Sequence, residues 1–219
     1  MSLADDLIYT IQRAVSAADG LDINQGRLGE FKIFADAYRV FTQSLAVDIT
    51  AATVQLPFNF SSLSSLFFYF RNDANAGSRT HRWQTVRTSK NILSFSLDVA
   101  GKQYPSEEVS GFPSMFSELV KTMHALAHTN FKSRFDRAAY EVNATANADA
   151  HGCFVAGLDL QAWSHKSNVI VSGINTLDKM VMLKMGFNPA GNAASQLVSI
   201  AHFDVLYKIN SSGQMYAVY

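Results

Sequence analysis

The spacing of apolar residues changes after the first twenty positions of the chain. Over residues 3–18 they recur at intervals of three and four, which is typical of one helix face, and Asp19-Gly20 ends that pattern. Beyond it, apolar residues mostly alternate with polar or small ones, most cleanly from Leu93 to Val99, and this alternation predicts strands. The predicted strands cover residues 47–60, 66–70, 93–99, 154–162, 180–187, 197–209 and 215–219.

One helix near residues 114–128 interrupts the strands. Met115, Leu119 and Met123 follow one another at i+4, and Pro113-Ser114 supplies a start signal with Ser114 as the expected N-cap. Strands dominate the rest, without the regular alternation of strand and helix that marks an α/β fold. We therefore expect an all-β, antiparallel two-sheet sandwich with an inserted helix.

The strand pattern also predicts which residues are buried and where the loops lie. We expect the core to include Leu97, Phe154, Leu158, Phe203 and Val205. The polar regions 71–90 and 131–152 are long for loops, and loops of that length usually make contacts or carry function. We divide the chain into an N-terminal helical connector, residues 1–20, and one sandwich domain, residues 21–219.

Composition and charge narrow the classes of function. Lys plus Arg equals Asp plus Glu at 18 each, and this zero net charge argues against an electrostatic nucleic-acid binder and suits close association of copies. Cys153 is the single cysteine, so no intrachain disulfide forms and a reducing compartment is expected. Asp5 and Asp6 stand where a signal peptide carries positive charge, and the chain has no apolar run that would span a membrane.

The sequence contains no recognisable set of catalytic residues. His124 and His128 have the i, i+4 spacing of a metal pair, but the acid of a zinc-protease motif is absent and no third ligand is evident. His151-Gly-Cys153 resembles a base beside a thiol, yet Cys153 leads into an apolar strand where a buried, inert thiol is usual. We predict a protein that is not an enzyme and that binds no metal or organic cofactor.

A basic loop with one tryptophan is the candidate contact site. Its members, Arg71, Arg79, Arg82, Trp83 and Arg87, have Lys90 and His81 close by in sequence. Arginine suits interfaces through its fork of donors and apolar stem, and tryptophan is a frequent anchor. We predict that these five residues make subunit contacts; the alternative is a solvated connection between strands.

Four stretches of the chain carry a resemblance to a known family: Phe60–Arg71, Leu93–Ser106 followed by the helix from Ser114, Phe154–Gln161 with Ser172–Thr176, and Phe203–Tyr219. They resemble the C-terminal jelly roll of double-jelly-roll viral major capsid proteins, in the Polinton-like, adintovirus and virophage branch of the adenovirus-hexon lineage. Their order and spacing match over about residues 30–219. Proteins of that family carry two jelly rolls, and this chain has room for one.

The resemblance implies a jelly-roll sandwich and a structural role in an icosahedral capsid. It implies homotrimers of pseudo-sixfold outline, contacts with neighbouring capsomers and with penton or minor capsid proteins, and a location in the virion after synthesis inside the host cell. The helical segment before the sandwich corresponds to the connector from the first jelly roll. The alternative is a soluble jelly-roll binding module, lectin-like or receptor-binding.

Overall fold

The computed structural model describes residues 31–72, 87–123, 140–141, 152–161, 173–189, 193–209 and 214–218. The helix expected over 3–18, and with it the connector at 1–20, lies outside these residues. The nine strands are β1 Phe31–Leu45, β2 Ala51–Leu56, β3 Leu63–Asn72, β4 Ile92–Val99, β5 Lys102–Ser110, β6 Ala156–Asp159, β7 Val181–Phe187, β8 Ser195–Ile209 and β9 Met215–Val218; helix α1, Phe112–Thr122, follows β5.

The strands form two sheets whose order identifies the architecture. Sheet I has the order β1-β8-β3-β6, with β9 also paired to β8, and sheet II has the order β2-β7-β4-β5. Strand β3 pairs antiparallel with β6 and β8, and the three pairings within sheet II are also antiparallel. Successive strands thus tend to leave one sheet for the other. This is the strand order of an eight-stranded jelly roll, so the predicted fold class is confirmed.

The chain forms two compact units. Residues 38–203 make the larger one, which holds all of sheet II and most of sheet I. Residues 1–37 and 204–219 make the smaller one, in which Leu206–Ile209 of β8 pairs antiparallel with Met215–Val218 of β9.

The core of the larger unit lies between the two sheets and is rich in aromatic rings. Phe68 of β3 meets Phe95 of β4 edge-on at 5.0 Å between centroids, and Phe70 meets Phe187 of β7 at 5.7 Å. Even-numbered β3 residues therefore face sheet II. The predicted core residues of this unit, Leu97, Phe154, Leu158 and Phe203, are all buried, as expected, and so is Val205 of the smaller unit.

Two strands were not predicted, and one predicted inward residue points outward. The pattern gave no strand at β1 or β5, because many of their residues are exposed and their alternation is weak. In β4 the register slips between Ile92 and Ser94, so Leu93, predicted to face inward, is exposed while Ile92 is buried. An extra residue in one strand reverses the facing of the residues beside it.

Helix α1 begins two residues earlier than predicted. Gly111, at φ +75°, occupies the N-cap, and Ser114 lies in the first turn, so the predicted serine cap is wrong. Glycine adopts that positive φ without steric cost, and Pro113 fits a position whose N–H needs no helical partner. The described part of helix α1 ends at Thr122. Residues 124–128, which include His124 and His128, lie outside the described part of the chain.

Helix α1 packs against β6 at one edge of sheet I. Met115, Leu119 and Thr122 form its buried face. A Cβ at Gly157 would lie only 2.9 Å from the Thr122 side chain, so the missing side chain lets the helix approach the strand. Phe112 and Tyr140 pack around Phe154, which places Tyr140, from a region predicted to be a polar loop, in the core.

Candidate interaction surface

The outer face of sheet I, which points away from sheet II, holds the described residues of the predicted contact site. Side chains alternate between faces along a strand, and Phe68 and Phe70 point inward, so Tyr69 and Arg71 point outward. The register sets Tyr69 opposite Val198 and Arg71 opposite Gln196 of β8. We call this surface the outer face.

Two of the predicted contact arginines meet on one tyrosine ring. The guanidinium carbons of Arg71 and Arg87 lie 5.3 Å and 4.6 Å from the Tyr69 ring centroid. Arg71 Nη2 also donates a 2.6 Å hydrogen bond to the Tyr69 hydroxyl. With both arginines over it, Tyr69 is only 6% exposed although it lies on the outer face. Cation–π contacts of this kind order the arginine stems against the ring.

Backbone hydrogen bonds hold Arg87 beside β3. Thr88 N–H donates to Phe70 O at 3.0 Å, and Arg87 N–H donates to Gly152 O at 3.0 Å. Residues 87–88 therefore lie between β3 and the segment that leads into β6. In this segment the backbone of Cys153 forms an isolated parallel β-bridge with that of Arg87. The Cys153 residue is partly exposed, so the buried thiol expected from sequence is not found. Strand β6 begins at Ala156 and not at Phe154, where the strand was predicted to begin.

Sequence analysis missed Tyr69 and could not place three of the predicted contacts. Tyr69 lies inside the apolar run 66–70, and only the facing of the strand separates it from its neighbours. Arg79, Arg82 and Trp83 lie outside the described residues. The contact role stays a prediction for these three, and also for Arg71 and Arg87.

Lys90, which lies near the basic loop in sequence, does not belong to this surface. It is 1% exposed, and its ammonium group donates to Ala46 O at 3.1 Å and Ala193 O at 2.6 Å. A buried lysine needs such acceptors because water no longer solvates its charge. Lys90 therefore joins the β1–β2 turn to the segment before β8.

Tyr38 and His202 extend the outer face toward β1. Their rings stack at 4.8 Å between centroids with 15° between planes, and Ser65 Oγ lies 3.3 Å from His202 Nδ1. Tyr38 remains 66% exposed and Val40, two residues along β1, is 58% exposed. The outer face is thus a mixed aromatic, aliphatic and cationic surface, a composition that protein interfaces favour.

The described residues contain neither a cluster of metal ligands nor a membrane-spanning helix. Among them, no three His, Cys, Asp or Glu side chains are close enough together to hold a metal ion. Within the same residues, no helix is both long enough and apolar enough to cross a bilayer.

The comparisons with known proteins find likeness only among solved structures. The sequence matches no protein-family model and no curated protein. A quasi-atomic model of the PBCV-1 virus capsid aligns with a TM-score of 0.53 and 12% identity, over 87% of this chain and 52% of that one. PBCV-1 VP54, fitted into a reconstruction of the virophage Sputnik, aligns with a TM-score of 0.53 and 10% identity over the same shares. The mavirus major capsid protein aligns more weakly, with a TM-score of 0.44 and 9% identity over 91% of this chain and 44% of that one.

The two PBCV-1 alignments confirm the predicted likeness to viral capsid proteins at the level of the fold. At 10–12% identity the shared property is the jelly-roll architecture. The chain spans about half the length of the PBCV-1 capsid chains it matches. The fold is thus that of a jelly-roll domain of viral capsid proteins.

Proposed function

We propose that this chain is a structural protein of a viral shell, which acts by self-association in the virion and not by catalysis. The observation that carries the proposal is the jelly-roll strand order of this chain, which aligns with two PBCV-1 capsid structures over 87% of its length. The match to 52% of those chains suits one of two such domains in a longer protein.

The physical form of the domain suits shell building. A jelly roll offers two sheet faces, two sets of edges and two loop-bearing ends, and each can meet a neighbour. The balanced charge, 18 basic against 18 acidic residues, leaves little net repulsion between copies.

The finer proposal is a homotrimeric capsomer that contacts neighbouring capsomers and penton or minor capsid proteins. Arg71 and Arg87 support a contact role because Tyr69 holds both guanidinium groups on the outer face. We extend that role to Arg79, Arg82 and Trp83 because they follow Arg71 within the same basic loop. The long loops 71–90 and 131–152 and the N-terminal segment are the further proposed contact regions.

The test is assembly of the purified chain. We expect sedimentation velocity to show concentration-dependent association and negative-stain electron microscopy to show trimers or particles. A chain that stays monomeric at every concentration and instead binds glycans saturably on an array contradicts the proposal. That outcome favours the soluble binding module.

A matched pair of variants tests the contact residues. Arg71→Ala with Arg87→Ala removes both cations from Tyr69. Lys102→Ala serves as the control, because Lys102 also lies over a tyrosine ring, Tyr104 at 5.1 Å, but in sheet II. We expect the double variant to assemble less than the control at equal concentration. Equal assembly of the two means that these arginines are not contact residues.

A further inference from the structure

The four edges of the two sheets are protected to very different degrees. A sheet edge presents unpaired backbone N–H and C=O groups that another strand can bind, and monomeric proteins usually block it with charges, proline, bulges, short strands or a covering element. Among the described strands of the larger unit, the edges are β1 and β6 in sheet I and β2 and β5 in sheet II; β9, which pairs only with β8, belongs to the smaller unit.

Three of these edges are short or blocked. Strand β6 has four residues and α1 packs against it at Gly157. Strand β5 contains Pro105 and the exposed Glu107 and Glu108, and its register with β4 is irregular. Strand β2 has six residues.

Strand β1 is the longest of these four edges. It runs for 15 residues without a proline. Within the larger unit it contributes Tyr38–Leu45, where Tyr38 and Val40 are strongly exposed and Arg39 is the single charged residue. A long, exposed edge with one charge in these eight residues is the kind that pairs with another strand.

We propose that the β1 edge is the docking site for β1 of a second copy of this chain, paired antiparallel about a two-fold axis. A strand is the partner that satisfies the backbone groups of an edge. A second copy fits because a pairing centred on Val40 or Phe41 sets Arg39 opposite Phe41 or Gln43, so that no like charges face each other. Sheet I of one copy then continues into sheet I of the other copy across the contact. This inference rests on the proposed shell function and names one of its contacts.

A lysine scan with a matched control tests the edge. Val40→Lys puts two like charges near each other across the proposed pair. Val47→Lys is the control, because Val47 is 57% exposed, against 58% for Val40, but lies in the turn after β1. We expect ~10-fold or greater weakening of dimerisation for Val40→Lys in sedimentation equilibrium and no change for Val47→Lys. Thermal unfolding of both variants checks that the fold is retained, and Thr42→Lys gives a second charge at the edge if Val40→Lys fails to fold.

Disulfide trapping tests the geometry of the pair. Opposed Cα atoms of antiparallel strands lie about 5 Å apart, which is within the reach of a disulfide. In a Cys153→Ser background with cysteines placed singly at positions 39–42, we expect an oxidised dimer from the position on the two-fold axis, Val40 or Phe41. Cysteine at Val47 is expected to yield none.

The outcomes separate this inference from the proposed function. Association of Val40→Lys and Thr42→Lys at the wild-type level, or no disulfide at any of the four positions, refutes the edge pairing while the shell role stands. A wild-type chain that never associates refutes both.

Discussion

Replacing Leu97 with alanine is the most direct test of how β4 lies in the sandwich. Leu97 is 0% exposed and sits opposite Leu183 of β7 and Tyr104 of β5. Leu93, four residues earlier on the same strand, is 54% exposed. Strict alternation predicts that both leucines face inward, whereas the observed register slip turns Leu93 outward. The two alanine variants therefore separate the two arrangements.

The expected difference follows from burial. Leu→Ala removes three carbons, and burial of each is worth about 0.8 kcal/mol, so the transfer loss at Leu97 is about 2.4 kcal/mol. The cavity left in a packed core adds to this, which gives a total of about 2.7–5 kcal/mol. At Leu93 less than half of the side chain is buried and no cavity forms, so we expect a loss of about 1 kcal/mol or less.

The assay is urea unfolding of the wild type and both variants, followed by tryptophan fluorescence and circular dichroism. With an unchanged m-value, the shift in midpoint gives the change in unfolding free energy. Similar losses for Leu93→Ala and Leu97→Ala, or a larger loss for Leu93→Ala, contradict the bulged register of β4.

Three further perturbations test single interactions. A hydrogen bond from Lys184 Nζ, and after it one from the Gly101 N–H, holds the pKa of the Asp98 carboxyl below its usual range. The ionised carboxyl therefore adds to the unfolding free energy above about pH 4, and this contribution is lost as the pH falls. The unfolding free energy of Asp98→Asn should accordingly fall less steeply with acid than that of the wild type. Lys90→Met leaves two carbonyls without their donor and should lower the unfolding free energy in urea by ~1–3 kcal/mol, whereas Lys179→Met, at an exposed lysine bonded to a single carbonyl, should change it little. Gly157→Ala brings a Cβ against Thr122 and should cost ~1–3 kcal/mol in the same assay; an unchanged midpoint means that α1 does not pack as described.

The sequence pattern was sufficient for the class of fold and for much of the core. Period-two alternation is a local property, so Phe95 and Leu97 could be assigned inward from β4 alone. The i+4 apolar spacing likewise predicted α1, although its start depends on a glycine conformation that spacing does not encode. The likeness to capsid proteins rested on four stretches in order, and the jelly-roll strand order confirms it for the fold.

The interaction surface was only partly predictable. Arg71 and Arg87 were recognised by residue type, yet their meeting on Tyr69 depends on backbone bonds that join residues 87–88 to β3 and to Gly152. Lys90 is a basic residue of the same region of the sequence, but its ammonium group is buried and donates to carbonyls of distant segments. Charge along the chain therefore does not distinguish a surface cation from a buried one.

By itself the sequence determined that the chain forms an antiparallel sandwich with one inserted helix, a mainly aromatic and aliphatic core and no net charge. Tertiary structure decided which way Leu93 points, that Tyr140 is in the core, and which strand is left as a long exposed edge. The physical reason is range. Alternation and helical spacing act between residues a few positions apart, whereas facing at a bulge, burial of a loop residue and the position of β1 at a sheet edge are set by pairings between segments far apart in the chain.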